Sequence, residues 1–462
     1  MLQKKPGLGS LPLGWEKGDR IISQIGRQWL AARGPSAAAS KDFVSSGPDV
    51  FIATTLYQVG GHTALIGDFV RALAEITPTA PPPHLIVTNC NDEHASPLAP
   101  EIITRTAIDA DKIDILPGPD LVARLDQLFA RVVKLQTKRL FLFHHPDDPV
   151  AGAIAQHGIG AETFVVHHAD SLPSFGLYLA GGRIIDVTPS AAALTRVQGL
   201  DRALLLLTAP DPGPRAAGFL KRGKLCTATC GTYHKFRSDY RYPYAETVAV
   251  VLRATGGVHV HIGPLTDSQL SDIREAIRAK NLDVEQFRHV PWTSSLPAAL
   301  WEHGCDLYFA SFPVGGARTI VEVMASATPH LRHSVRPIEH LVRNELHGQG
   351  GFVWHSWEEL EEVLTSAADD RFLEEKSKLM RATYEKFHHP RIFAANLKNI
   401  LAGESGFHDP QEMQRERNAV NRVLVCLQGH AGNNNASGSE FSIGQLQEII
   451  DQAIESQASF CA

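Results

Sequence analysis

The chain has 462 residues, 44% of them hydrophobic and 20% charged, and its 44 basic against 50 acidic residues leave a net charge of −6. Such totals suit a soluble globular protein of two or three domains, each able to build its own core. They give no reason to expect nucleic acid or an anionic membrane as the main partner. Six cysteines, Cys90, Cys226, Cys230, Cys305, Cys426 and Cys461, are scattered without a CxxC pair, which favours a reducing compartment. The opening MLQKKPGLGSLPLGW lacks the apolar core of a signal peptide, and no window approaches the apolar length of a membrane span, so a cytoplasmic protein is expected.

Residues 1–48 read as a lead-in with a helix around Asp19–Arg33 and a linker, GPSAAASKDFVSSGPD. A first domain, 49–212, opens with the strand VFIAT, the loop LYQVGGHT and the amphipathic helix ALIGDFVRALAEI. HLIVTNC is the next strand. KIDILP with DLVARLDQLFARVVKLQ, RLFLFHHPDDP with VAGAIAQHG, TFVVHHAD, and RIIDVTPS with AAALTRVQ continue the alternation. Strands alternating with helices imply a largely parallel, doubly wound sheet. TAPDPGPRAAG, residues 208–218, is read as an inter-domain hinge.

The second domain, 213–385, begins with KLCTATC, the loop GTYHKFRSDYRYP and the helix YAETVAVVLRAT. VHVHIG, SQLSDIREAIRAKN, FRHVPW and SSLPAALWEHG follow as strand, helix, strand and helix. Within CDLYFASFPVGGARTIVEVMASATP, residues 305–329, a short buried strand leads into a loop held open by Pro313, Gly315 and Gly316. A helix then starts near Arg318. A strand, a glycine-rich turn and a helix N-terminus form an anion site, because glycine lets the backbone close in and the first free N–H groups face the ligand. An exposed helix end contributes only about 0.3–1 kcal/mol, so binding a diphosphate there needs a cation from elsewhere in the chain. HLRHS and GGFVWHS read as two last strands, and helices run through the stretch closing at 386–403. Residues 404–462 hold a flexible linker and the amphipathic helix FSIGQLQEIIDQAIESQ, with Ile443, Leu446, Ile449, Ile450 and Ile454 on one side, able to dock on the body or on a partner.

This order resembles the GT-B glycosyltransferases over residues 49–402. VGGHTALIGDFVRAL is similar to their glycine-rich first loop, FPVGGARTIVEVMASATPHL to their donor-site loop and helix, and KFHHPRIFAANLKNIL to helices that cross back to the first domain. The resemblance implies an α/β chain with two Rossmann-like doubly wound domains facing across a cleft, plus a C-terminal helical extension. The nucleotide-diphosphate sugar, UDP- or GDP-linked, would sit on the second domain and a protein, lipid or glycan acceptor on the first, with no cofactor and no required metal. Many retaining members carry a pair of glutamates near the donor helix; Glu322 fits the second, and Val314 stands where the first would fall. FPVGG is more similar to the FP..GG loop of cytoplasmic protein glycosyltransferases, so the stereochemistry stays open.

On this reading Lys235 supplies the missing cation, with Thr232, His234 and the Gly231 backbone beside it; the plainer reading of Lys235 is a solvated surface lysine. Gly315, Gly316, Arg318 and Thr319 would complete the phosphate clamp. Glu322 would accept the ribose hydroxyls, and Trp292 would stack on the base or serve as core. In the first domain Gly60, Gly61 and His62 would face the donor, while His62, His167 and His168 are candidates for the acceptor base or for sugar contacts, with Asp170 orienting one of them. HHPDDP ends a strand, with Asp148 near the start of the following helix. It also resembles the HPDDE of zinc-dependent sugar N-deacetylases, in which His145 and Asp148 would bind metal and Asp147 act as base. A non-catalytic binding or scaffold protein of the same fold is the remaining alternative.

Overall fold

Short apolar runs punctuated by glycine and proline become strands here, and the amphipathic runs between them become helices. A computed structural model describes residues 16–404 apart from 34–46, 59, 93–97, 156–160, 169–173, 180–181, 189–190, 193–201, 216–217, 222, 237, 239, 314 and 334–349. Asp170, Val314 and the C-terminal helix read at 441–457 therefore lie outside the described residues. The chain divides into two compact units, Met1–Leu206 with Ala394–Ala462, and Leu207–Phe393.

The first unit holds a seven-stranded sheet: β1 Val50–Ala53, β2 His84–Val87, β3 Ile113–Ile115, β4 Arg139–Phe143, β5 Glu162–His167, β6 Gly182–Asp186 and β7 Arg202–Leu204. Its order is β3-β2-β1-β4-β5-β6-β7, with every neighbouring pair parallel. Every residue of β1 and β4 is buried, as expected for parallel strands covered on both faces. Phe51, Phe69, Phe141, Phe143 and Phe164 pack together in this core. Buried Arg139 grips Asp49 with two hydrogen bonds of 2.7 and 2.6 Å. The N-terminal helix Glu16–Arg33 is tied on by Asp19, which accepts the amides of Gly176 and Tyr178 at 2.8 and 2.9 Å. Arg183 donates to the carbonyls of Ile400 and Glu404, fixing the end of the helix Pro390–Leu401.

The second unit repeats the plan with six strands: β8 Cys226–Cys230, β9 Val258–Ile262, β10 Phe287–Val290, β11 Leu307–Phe309, β12 His330–His333 and β13 Phe352–Trp354. They run β10-β9-β8-β11-β12-β13, again all parallel. The helix Asp267–Ala279 begins at a capping box, in which Thr266 and Gln269 satisfy each other's backbone N–H groups. Asp306, buried before β11, accepts the amides of Leu220 and Cys226 at 2.9 and 2.8 Å. The sequence reading lacks β7 and the short helix Pro100–Thr106. Among the described residues no helix is long and apolar enough to cross a membrane.

In each sheet the strand order reverses once, between β1 and β4 and between β8 and β11. Loops leaving the C-terminal ends of two adjacent strands part there in opposite directions and leave a crevice where ligands of such sheets bind.

Asp211 accepts both Nη atoms of Arg381 at 2.8 and 3.0 Å, and this pairing first of all holds its carboxyl down at about 2, below the ordinary 3.8. A lowered carboxyl pKa stabilises the folded state above the unfolded value, and that contribution is lost as pH falls through the folded value. Asp211→Asn is therefore expected to lower the melting temperature at neutral pH, with the difference from wild type shrinking between about pH 4 and pH 2. Thermal unfolding across that range checks it.

Candidate functional site

In the second unit the reversal lies between β8 and β11. After β8 the chain passes Gly231 and Thr232 into a single tight turn, Tyr233–Lys235. After β11 it passes a cis peptide at Phe312-Pro313 and reaches Gly315 and Gly316, and Gly316 occupies the N-cap position of the helix Ala317–Ala325. The two loops meet. Lys235 Nζ donates to the Gly315 carbonyl at 3.4 Å. A Cβ added to Gly316 would lie 2.8 Å from Lys235 Nζ and 3.0 Å from Thr319 Oγ1, so a side chain there would push the lysine tip aside. An ammonium, a hydroxyl and the first amides of a helix thus converge from parts of the chain 80 residues apart.

The other residues expected in this half fall around that corner unevenly. Thr232 Oγ1 lies 3.0 Å from His234 Nδ1. Burial, and then the charge of Lys235, lower the pKa of His234, so the ring beside the lysine stays neutral. Arg318 is buried and donates to Glu322 one turn along the helix. Glu322 keeps its side chain 23% exposed. Trp292 follows β10 and is 41% exposed, an aromatic face presented to solvent and not core.

In the first unit the loops after β1, β4 and β5 bring histidines together. His62, in the first turn of the helix Gly61–Ile76, lies with its ring 4.5 Å from that of His168 and 5.4 Å from that of His145. The ring of Tyr57 stacks on His145 at 5.7 Å. A carbonyl only accepts, so the partners fix the tautomers. His62 Nε2–H donates to Phe143 O at 2.7 Å, and His168 Nε2–H donates to His144 O at 3.0 Å. Both rings therefore carry their lone pair on Nδ1; His62 Nδ1 is buried, and among the described residues it has no hydrogen-bond partner. Burial, followed by the nearby His145, lowers the pKa of His62 to about 4; burial and the neighbouring imidazoles push His168 down as well. His62 and His168 are therefore neutral at physiological pH.

His167 stands apart from it. It is the last residue of β5, is 2% exposed, and places Nδ1 2.8 Å from the Asp186 carboxylate, with Arg202 on the same carboxylate at 3.5 Å. Gly60 adopts φ +133° and its carbonyl accepts from Arg105 at 2.7 Å; Gly61 opens the helix, and both are exposed. Tyr57 and His145 are members of the cluster that the sequence reading left out of the acceptor candidates. The signal that finds them is strand order, since β1 and β4 are 86 residues apart in the chain and adjacent in the sheet.

The deacetylase reading meets an obstacle in Asp148. It is the N-cap of the helix Pro149–Ile154, its Oδ1 accepting the amides of Val150 and Ala151 at 2.9 and 3.1 Å. Oδ2 accepts the hydroxyls of Thr54 and Thr88 at 2.7 and 2.6 Å, and the Cys90 thiol donates to Oδ1 at 3.1 Å. Both oxygens are occupied, and the residue is 1% exposed. Burial, then Asp148, pushes the Cys90 thiol up to about 12. Among the described residues no group of three or more His, Cys, Asp or Glu side chains is placed to hold a metal ion.

No protein-family model matches this chain, and no curated protein matches it by sequence. Solved structures do match, and they show the fold to be that of the GT-B glycosyltransferases. HepE of Anabaena, solved with UDP, aligns over 77% of this chain and 100% of its own at 13% identity with a TM-score of 0.59. The pneumococcal O-GlcNAc transferase GtfA, solved with UDP and GlcNAc, aligns over 77% and 99% at 9% identity with a TM-score of 0.51. A putative UDP-N-acetylglucosamine 2-epimerase from Listeria monocytogenes aligns over 78% and 100% at 12% identity with a TM-score of 0.50.

If Asp148 is structural, Asp148→Ala removes a helix cap and leaves two buried hydroxyls without their acceptor. A loss of about 2–4 kcal/mol is expected in urea unfolding, with no stoichiometric zinc uptake by the wild-type protein in equilibrium dialysis.

Proposed function

We propose that this chain is a glycosyltransferase that moves a sugar from a UDP- or GDP-linked donor to a hydroxyl or amide of a protein, lipid or glycan, without a required metal. The observation that carries this reading is the meeting of Lys235 with the Gly315–Thr319 turn at the strand-order reversal of the second sheet. Two of the structural neighbours, HepE and GtfA, were solved with UDP, which supports the donor class.

In this reading the β-phosphate of the donor lies against the first amides of the helix Ala317–Ala325, with Thr319 Oγ1 as a further donor and Lys235 as the counter-charge. Charge builds on the leaving diphosphate as the glycosidic bond breaks. Donors already aimed at it lower the barrier without reorganising at the moment of reaction. Exposed Trp292 offers its face to the base, and Glu322 accepts the ribose hydroxyls.

The first unit supplies the acceptor side. His62 Nδ1 carries a lone pair fixed by the bond from Nε2–H to Phe143 O; buried beforehand, it is uncovered as the acceptor enters and takes the acceptor's proton as the new bond forms. A pKa near 4 keeps that lone pair available throughout the physiological range, and makes His62 a weak base that acts late, once the hydroxyl has become acidic. His168 and the Tyr57–His145 pair form the aromatic wall around it, suited to the face of a sugar or peptide acceptor.

Lys235→Ala is expected to weaken binding of UDP or GDP about 10- to 100-fold, the range for one charge-assisted hydrogen bond. Calorimetry with a panel of nucleoside diphosphates checks it, and unchanged affinity removes the donor-site assignment. His62→Ala is expected to lower turnover about 100-fold or more while donor affinity holds. Because its folded-state pKa is lowered, the wild-type rate should fall on acidification near pH 4 and not near 6.5. Turnover that epimerises the sugar without transferring it would redirect the assignment to the epimerase chemistry named for the Listeria neighbour.

A further inference from the structure

Beneath the lysine loop lies a line of buried polar side chains that the donor chemistry does not touch. Thr227 on β8, His259 and His261 on β9, and Tyr244 at the start of the helix Tyr244–Thr255 are all buried. Their contacts are Thr227 Oγ1 to His259 Nδ1 at 2.8 Å, His259 Nε2 to Tyr244 Oη at 3.0 Å, Tyr244 Oη to His261 Nδ1 at 2.8 Å, and His261 Nε2 to the Gly231 carbonyl at 3.1 Å.

The direction of each bond follows from one fixed end. The Gly231 carbonyl accepts and never donates, so His261 carries its proton on Nε2. Burial keeps both rings neutral, with pKa values near 3, so His261 Nδ1 is an acceptor and Tyr244 must donate to it. The Tyr244 oxygen then takes the Nε2–H of His259, whose Nδ1 takes the hydroxyl of Thr227. Thr227 has the Val258 carbonyl as a second, longer acceptor at 3.4 Å, so the direction is set by the two rings and Tyr244 and followed by Thr227 at its shorter 2.8 Å contact.

The line ends where the lysine loop begins. The Gly231 amide is fixed by Ile262 O at 3.0 Å and its carbonyl by His261, and Gly263 at φ +124° lets the two backbones meet; a Cβ there would lie 2.3 Å from Gly231 O. Phe236, which closes the loop, packs its ring 4.2 Å from Tyr244 and 5.1 Å from His261. A Cβ on Gly231 would meet Phe236 at 3.0 Å and the Lys235 stem at 3.2 Å. Gln269 donates to the carbonyls of Tyr233 and Phe236 at 3.0 and 3.1 Å. The position of Gly231 is thereby passed to Lys235.

We propose that Thr227, His259, Tyr244 and His261 form a one-directional hydrogen-bond relay that sets the position of Gly231, and through it aims Lys235 at the donor phosphates. Tyr244 and His261 are positioning residues, and the inference rests on the donor-site reading above.

The test is a double-mutant cycle on nucleoside diphosphate affinity, with UDP and GDP as probes. Tyr244→Phe is expected to weaken binding about three- to tenfold, and to have no further effect in a Lys235→Ala background, because the relay acts only through that lysine. A purely structural tyrosine would weaken binding equally in both backgrounds. His261→Gln, which keeps a donor at the place of Nε2, is expected to bind more tightly than His261→Leu. Should Tyr244→Phe fail to fold, that glutamine–leucine comparison carries the test. Nitrogen chemical shifts must show both His259 and His261 as the Nε2–H tautomer; an Nδ1–H form of either ring overturns the relay whether or not nucleotide binds. If wild type binds no nucleoside diphosphate, the donor-site reading fails and takes the positioning role with it. If Lys235→Ala weakens binding as expected while Tyr244→Phe is silent or additive, the relay alone is overturned.

Discussion

The account depends on one ammonium group standing at one helix start. A helix of nine residues offers its first amides to an anion with a strength of only about 0.3–2 kcal/mol, too little to hold a doubly charged diphosphate against water. On the proposed reading Lys235 changes that balance, from a loop belonging to a different strand. The parallel sheet makes the juxtaposition possible: with β11 paired to β8, the loops leaving their C-terminal ends emerge side by side and then diverge. Glycine at 316 keeps the space between them open. Topology, a missing side chain and a single charge therefore act together.

The same topological argument applies to the first unit and gives a different chemistry. There the reversal between β1 and β4 gathers imidazoles and a tyrosine in place of a cation. Desolvation dominates at His62 and His168, so those two rings are neutral, and their tautomers are dictated by the carbonyls they bond. On the proposed reading, the lysine corner of one unit serves the donor phosphate and the imidazole corner of the other serves the acceptor. The fold alone does not require this division, since an epimerase shares it.

Much of this was legible in the chain. The alternation of apolar strands with amphipathic helices was enough for two parallel sheets, because parallel strands buried on both faces read as uninterrupted apolar runs. The turn at Gly315-Gly316 and the basic loop at Lys235 were visible as separate motifs. β7 was missed because its apolar run, ALLLL, is followed directly by the proline-rich 208–218 stretch and reads as part of it. Helix Pro100–Thr106 was too short to show a period. The histidine cluster was half seen: His62 and His168 were singled out, while His145 was absorbed into the HPDDP motif and Tyr57 into a glycine loop. His167 and His168 look alike in sequence, yet strand alternation sends His167 inward to Asp186. Arg318 and Glu322, read as two ligand contacts, are four residues apart on a helix and reach each other. The relay under Gly231 was invisible, because VHVHIG shows two histidines on one strand face and nothing of the tyrosine between them.

The most direct measurement is a structure of the protein with UDP or GDP bound. The account requires the β-phosphate to lie within hydrogen-bonding distance of Lys235 Nζ and of the amides of Gly316 and Ala317, with the Lys235 bond to Gly315 O given up to the ligand. A nucleotide bound elsewhere on the second unit, or a diphosphate held without Lys235, would contradict it.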